Sequence, residues 1–164
     1  MNELYVIRHG IAEMISPAGG GDESRELTKK GREKVRLISK TLKDREIFFD
    51  RIVSSPLTRA VQTAEIVSRY CSDREEIALT DYLKPGSSYE DLIEYLNRTE
   101  GAEKVAIVGH EPFLSGFISY CLSRSKSSFV EMKKSGVALL EIDGMIIPGK
   151  AKLLWLMGPK QFMD

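Results

Sequence analysis

The sequence predicts an α/β protein, a mostly parallel sheet flanked by helices, and three observations predict it. Short apolar runs alternate with segments of helical periodicity along the 164 residues. Two of those runs, "LYVIRHG" at 4–10 and "KVAIVGH" at 104–110, end alike, with a histidine just beyond the last apolar residues, and these are the only two histidines in the chain. The length, with 42% hydrophobic and 29% charged residues, suits one domain with a real core, taken as residues 1–164.

Each element follows from its own signal. "ELYVIR" is the first strand, and "LTKKGREKVRLISKTL" is a helix with Thr28 as its N-cap and Val35, Ile38 and Leu42 on one face. The charged run "KKGREKVR" within it is a solvated face. "DRIVS" is the second strand. In "SSPLTRAVQTAEIV" Ser55 is placed to cap a helix, Pro56 suits its first position, and Val61, Ala64 and Val67 form the apolar stripe. A short strand near "IALT" precedes the helix "SSYEDLIEYL", where Ser87 and Glu90 have capping-box spacing. "KVAIVG" is the most continuous apolar strand. It leads into a helix from Pro112 that carries Phe113, Phe117, Ile118 and Leu122. The tail "GVALLEIDGMIIPGKAKLLWLMGP" reads as two antiparallel strands around a Gly/Pro turn, and "SPAGGGDES" at 16–24 as a mobile loop.

Composition narrows the function. Twenty-four basic residues balance twenty-four acidic ones, so there is no overall positive field to gather nucleic acid or an anionic membrane. No stretch approaches the roughly 20 apolar residues of a membrane helix, and the N-terminal residues lack the pattern of a signal peptide, so a cytoplasmic location is the expectation. Cys71 and Cys121 lack metal-like spacing and read as small buried side chains.

Parallel sheets bind ligands beyond the carboxyl ends of their strands. Arg8, His9 and His110 all fall at such ends, and Arg59 lies in the first turn of the helix after the second strand. A cation there is disfavoured by the helix dipole, by about 0.3–1 kcal/mol, unless an anion binds nearby. Two guanidinium forks and the N–H groups of helix starts suit phosphate oxygens. A neutral imidazole can attack phosphorus, and a protonated His110 beside two arginines would stabilise the charge on the equatorial oxygens. No metal or other cofactor is required. A metal site of His9 and His110 with Glu13 or Glu111 would place a dication beside Arg8 and Arg59, which repel it.

The strings "RHG", "SSPLTRAVQTAE" and "GHEP", in that order and each at a strand-to-helix junction, resemble the histidine phosphatase superfamily, also called phosphoglycerate mutase-like. The short length and "DESRELTKKG" at 22–31 are most similar to its SixA-type branch, small phosphohistidine phosphatases without an inserted cap. The resemblance implies His9 as nucleophile, Arg8 and Arg59 as phosphoryl ligands, and His110 as a donor from the opposite side. Arg25 is open between a substrate contact and a solvated loop charge.

A departure from the family bears on the substrate. Where the mutase and sugar-phosphatase branches carry a glutamate as general acid, "TDYLKPGSS" offers Lys84 and Pro85, with Asp81 close by. Where the acid-phosphatase branch has its proton donor, this chain has Glu111, which would equally serve to cap the helix at Pro112. An alcohol leaving group needs a proton, and a missing acid costs about 10²–10⁴ in rate, whereas a phosphoramidate bond is already weak. The expected function is therefore a metal-independent phosphatase working through a phosphohistidine intermediate, with a phosphorylated protein such as a histidine phosphotransfer domain as partner. The alternatives are a phosphomonoesterase for a small metabolite and a non-catalytic phosphate-binding module.

Overall fold

Alternation along the strands decides the layers. In β1 (Glu3–Arg8), Leu4 and Val6 face one side of the sheet and Tyr5 and Ile7 the other, and each set joins a separate apolar cluster. A strand buried on both faces needs helices on both, and the computed structural model, which describes residues 1–16 and 19–163, has them. Helices α1 (Lys29–Asp44) and α2 (Thr58–Cys71), with the short α5 (Pro159–Met163), cover the Tyr5 side. Helices α3 (Tyr89–Asn97) and α4 (Phe113–Ser123) cover the other.

The remaining strands are β2 (Arg51–Ser54), β3 (Ile77–Leu79), β4 (Lys104–Gly109), β5 (Val137–Glu141) and β6 (Lys152–Met157). They form one mixed sheet in the order β3-β2-β4-β1-β5-β6. The first four of that order are parallel, and β5 and β6 are antiparallel additions. Strands β1 and β4 are therefore neighbours although most of the chain separates them, and their register pairs Arg8 with Gly109. The residue after each is a histidine, so the register alone brings His9 and His110 together. Strand β2 ends on the other side of β4, with Ser54 opposite Val108. No inserted cap lies between α2 and β4.

Two expected boundaries move. Helix α2 begins at Thr58, and neither Ser55 nor Pro56 caps or opens it: Leu57 is the N-cap, without a side-chain bond. Its buried face runs through Ala60, Ala64 and Val67, with Val61 only half-buried. In α3 the cap is Ser88, whose hydroxyl accepts from the Asp91 amide, while the Ser87 hydroxyl donates to the Asp81 carbonyl. A one-residue ambiguity between adjacent serines is settled by which one the preceding turn already engages. The loop expected to be mobile includes Pro17 and Ala18, which lie outside the described residues; its later part is a 3₁₀ turn at Asp22–Ser24. Thr28 caps α1 as expected, accepting from the Gly31 amide, and both cysteines are buried, which pushes each thiol up to about 12. Among the described residues no helix is long and apolar enough to cross a membrane.

Gly31 shows how tightly α1 is set against the segment after β1. A Cβ at this position would lie 2.1 Å from the Ile11 carbonyl oxygen, two residues beyond His9, and backbone cannot rotate out of the way. Gly31→Ala should therefore lower stability by at least about 2 kcal/mol, read as a lower urea midpoint at unchanged slope. A midpoint equal to that of the parent would show that the two segments are not in this contact.

Candidate active site

Arg8, His9, Arg59 and His110 line one cavity of about 190 Å³ beyond the ends of β1 and β4, together with Arg25 and Glu111. The six residues singled out in the sequence thus share a single site. His9 and His110 stand with ring centroids 5.1 Å apart and are 7% and 2% exposed.

His9 is held by its own turn. Its backbone amide donates to the Gly109 carbonyl at 3.0 Å, which closes the β1–β4 junction. Its Nδ1 lies 2.7 Å from the Gly10 carbonyl oxygen, which can only accept. Nδ1 therefore carries the proton, and Nε2 keeps its lone pair. Gly10 is fixed in turn: its amide donates to the Thr63 hydroxyl at 3.1 Å, and that hydroxyl donates to the Arg59 carbonyl. Thr63, one turn along α2, thus ties the nucleophile's turn to the helix that carries Arg59.

His110 is fixed from β2. Its Nε2 lies 2.7 Å from the Ser55 hydroxyl, and the Ser55 amide donates to the Val108 carbonyl. The helix cap expected of Ser55 is thus replaced by a contact with the second histidine. A hydroxyl can donate or accept; when it donates to Nε2 the ring proton sits on Nδ1, which is buried and has no partner among the described residues. A neutral His110 in this tautomer is already a donor.

Electrostatics make both rings neutral. Burial lowers His9 to about 4, with the charges of Arg59, Arg8 and Lys134 adding to it against the Gly10 hydrogen bond. Burial also lowers His110 to about 3, aided by His9 and Arg59. Before a phosphoryl group binds, a proton on His110 would be surrounded by cations in a poorly hydrated place, so the protonated His110 expected at the bound group is not the resting form. A bound dianion reverses the balance.

The sign for stability follows directly. Both folded-state values lie below the ordinary 6.5, so on acidification the unfolded chain takes up these protons first. The contribution is fully present above about 6.5 and is lost as the pH falls towards 4 and 3. With only two imidazoles in the chain, NMR titration reads both. Both should remain neutral at pH 5.5, with saturating inorganic phosphate moving the His110 midpoint upward; midpoints near 6.5 without ligand would contradict this electrostatic picture.

The arginines are positioned differently. Arg8 donates from Nη1 to the Met132 carbonyl at 2.9 Å, and its Nε is buried without a partner. Arg59 is 4% exposed. It donates from Nη1 to the Asp22 carbonyl and from Nη2 to the Asp22 carboxylate, at 2.9 and 3.2 Å. Asp22 also accepts from Arg25 at 2.8 Å, and Arg25 reaches the Glu13 carbonyl. Although its slight burial works the other way, the Arg59 and Arg25 charges hold the Asp22 carboxyl below its ordinary range. Sequence reasoning missed Asp22, because the glycines around it suggested only mobility; its i,i+3 spacing to Arg25 was the available signal. Sequence reasoning also missed Lys134, which lines the cavity from the α4–β5 connection.

Glu111 lines the cavity, but its carboxylate is engaged. One oxygen accepts from the Ser115 amide at 2.8 Å, and the Ser115 hydroxyl donates to the other. That is the geometry of a helix cap, from a residue just ahead of α4. At the start of α4 Pro112 lacks an N–H, and the Leu114, Ser115 and Gly116 amides donate to the His110 carbonyl, Glu111 and the Pro112 carbonyl, so few amides are left for the cavity. Lys84 is paired with Asp81 at 3.1 Å, and Pro85 is on the cavity wall.

Comparison with known proteins agrees with this geometry. The model of the histidine phosphatase superfamily (branch 1) matches residues 4–84. An uncharacterised Picosynechococcus protein is 33% identical over 138 residues, covering 82% of each chain. The phosphohistidine phosphatase SixA of Escherichia coli is 25% identical over 160 residues, covering 96% of this chain and 94% of that protein. Among solved structures, that of a protein histidine phosphatase SixA complexed with tungstate superimposes with a TM-score of 0.84 at 24% identity, over 97% of this chain and 98% of the other, which shows a shared fold. Two buried imidazoles side by side at neighbouring strand ends, two arginines at the same cavity, and these likenesses over nearly the full length lead to one assignment: the chain belongs to the histidine phosphatase superfamily, as a phosphatase of SixA-like architecture.

Proposed function

We propose that residues 1–164 act as one histidine phosphatase domain that removes the phosphoryl group from phosphohistidine on a protein, without a metal or other cofactor. The observation that carries this reading is the engagement of Glu111 by Ser115, which leaves the cavity without a free carboxylic acid for the leaving group. His9 Nε2 attacks phosphorus, the P–N bond of the substrate breaks, and the departing imidazole takes a proton from water. A second water then attacks the phosphorus on His9, releasing inorganic phosphate and restoring the free ring. Arg8, Arg59 and the His110 N–H hold the equatorial oxygens, and Arg25 lies at the edge of the same cavity. The partner is a phosphorylated protein, such as a histidine phosphotransfer domain, and the relative named phosphohistidine phosphatase SixA supports that class.

A panel of phosphohistidine, an activated aryl phosphate and alkyl phosphates, assayed in EDTA with the parent and Glu111→Gln, tests this. Glutamine still accepts from the Ser115 amide, so the variant should stay within about threefold on phosphohistidine and the aryl phosphate, with alkyl phosphates poor for both proteins. If Glu111 is a proton donor, the variant instead loses about 10²-fold or more on alkyl phosphates and spares the aryl phosphate. A parent that prefers a sugar phosphate to phosphohistidine would turn the assignment to a small-metabolite phosphomonoesterase.

A further inference from the structure

The cavity holds more cations than the two arginines assigned to the phosphoryl group, and Lys134 is among them. Arg8, Arg25 and Arg59 share it with Glu111, while Asp22 sits on Arg25 and Arg59. Three guanidiniums against two carboxylates leave one net positive charge. Before an anion binds both imidazoles are neutral and add none. A phosphoryl dianion calls for two. Glu131 acts on Arg8 from nearby, but it is itself paired with Lys133 at 2.7 Å.

Lys134, like Arg8, is a cavity cation without an ion pair. No acidic side chain among the described residues lies within ion-pair distance of it, whereas Lys84 and Lys133 on either side of the site are both paired. Its backbone is fastened to the two residues that begin the site. The Ser135 amide donates to the His9 carbonyl at 3.1 Å, the Arg8 amide donates to the Gly136 carbonyl at 3.0 Å, and the Arg8 side chain holds the Met132 carbonyl. Ser135 adopts a left-handed φ of 62°, the bend that turns the chain past His9. The lysine is thus anchored at its Cα while its head stays exposed at the cavity mouth, an arrangement suited to closing on an incoming anion.

We propose that Lys134 is a third phosphoryl-binding cation, supplying from the mouth of the cavity the second net positive charge that the dianion requires. This rests on the cavity being the phosphoryl site. Because the contact is to the transferred group, its loss should be felt alike by every substrate.

Binding of inorganic phosphate and of orthovanadate, followed by NMR of the two imidazoles and by inhibition of aryl phosphate hydrolysis, tests it in the parent, Lys134→Met and Lys134→Arg. Lys134→Met should weaken both anions about tenfold and reduce kcat/KM by a similar factor on aryl phosphate and phosphohistidine. The affinity should also depend less on salt, and Lys134→Arg should recover most of the loss. Unchanged anion affinity in Lys134→Met would overturn the proposal while leaving the site assignment intact. A loss confined to protein substrates would also overturn it, making Lys134 a docking cation. A parent that binds neither anion would instead reject the phosphoryl site, and this inference with it.

Discussion

His9→Ala lowers kcat/KM by about 10⁴-fold or more on every phosphorylated substrate, while the protein stays folded at neutral pH. The loss is total for the two-step route, because no other group in the cavity offers an unprotonated nitrogen: His110 is committed to Ser55 through Nε2, and the lysine and arginines are cations. The fold survives because His9 lies beyond the last residue of β1, outside both apolar clusters, and its backbone amide bond to Gly109 is kept by alanine. The variant should also lose less stability than the parent between pH 6.5 and 4, since an imidazole that resists protonation when folded has been removed. Steady-state kinetics and acid titration of the circular dichroism signal read both. Activity within tenfold of the parent would reject His9 as the nucleophile.

Arg59→Ala should reduce kcat/KM by about 10²–10³-fold, with a comparable loss of vanadate inhibition. Arg59 is buried, aligned by the Asp22 carbonyl and carboxylate, and linked through Thr63 to the turn that holds His9. Its removal takes away a positive charge that little water can replace, and leaves the Asp22 carboxylate paired with Arg25 alone. Lys at this position should recover little, because one ammonium cannot span Asp22 and a phosphoryl oxygen as a planar fork does. A variant within tenfold of the parent would mean that Arg59 only anchors the Asp22 turn.

What the sequence made legible, and what it did not, divides along the range of the interactions. The strands and helices were readable because each carries its own period, and the placement of His9 and His110 followed because a parallel sheet puts its binding site at strand ends. The partners of these residues were not readable. Ser55 looks like a helix cap in "SSPLTR", and only the β2–β4 pairing shows that it meets His110. Asp22 reaches Arg59, and Lys134 reaches the cavity, from connections whose paths depend on long-range backbone bonds, such as Ser135 to His9, that leave no local pattern. Protonation was also out of reach: His110 as a charged donor is reasonable beside an isolated phosphate, but burial among cations makes the free ring neutral. Glu111 had two readings in the sequence, proton donor and cap of the helix at Pro112, and only the side-chain contacts with Ser115 favour the cap.

In the proposed reaction the phosphoryl group passes through Nε2 of His9. Mixing the parent enzyme with a labelled aryl phosphate, quenching in alkali within one turnover and mapping the label by mass spectrometry tests it most directly. An acid-labile, alkali-stable phosphoryl group should appear on His9, formed and lost at rates that match turnover and absent from His9→Ala. Turnover without any such intermediate, or with the label on another residue, would contradict it.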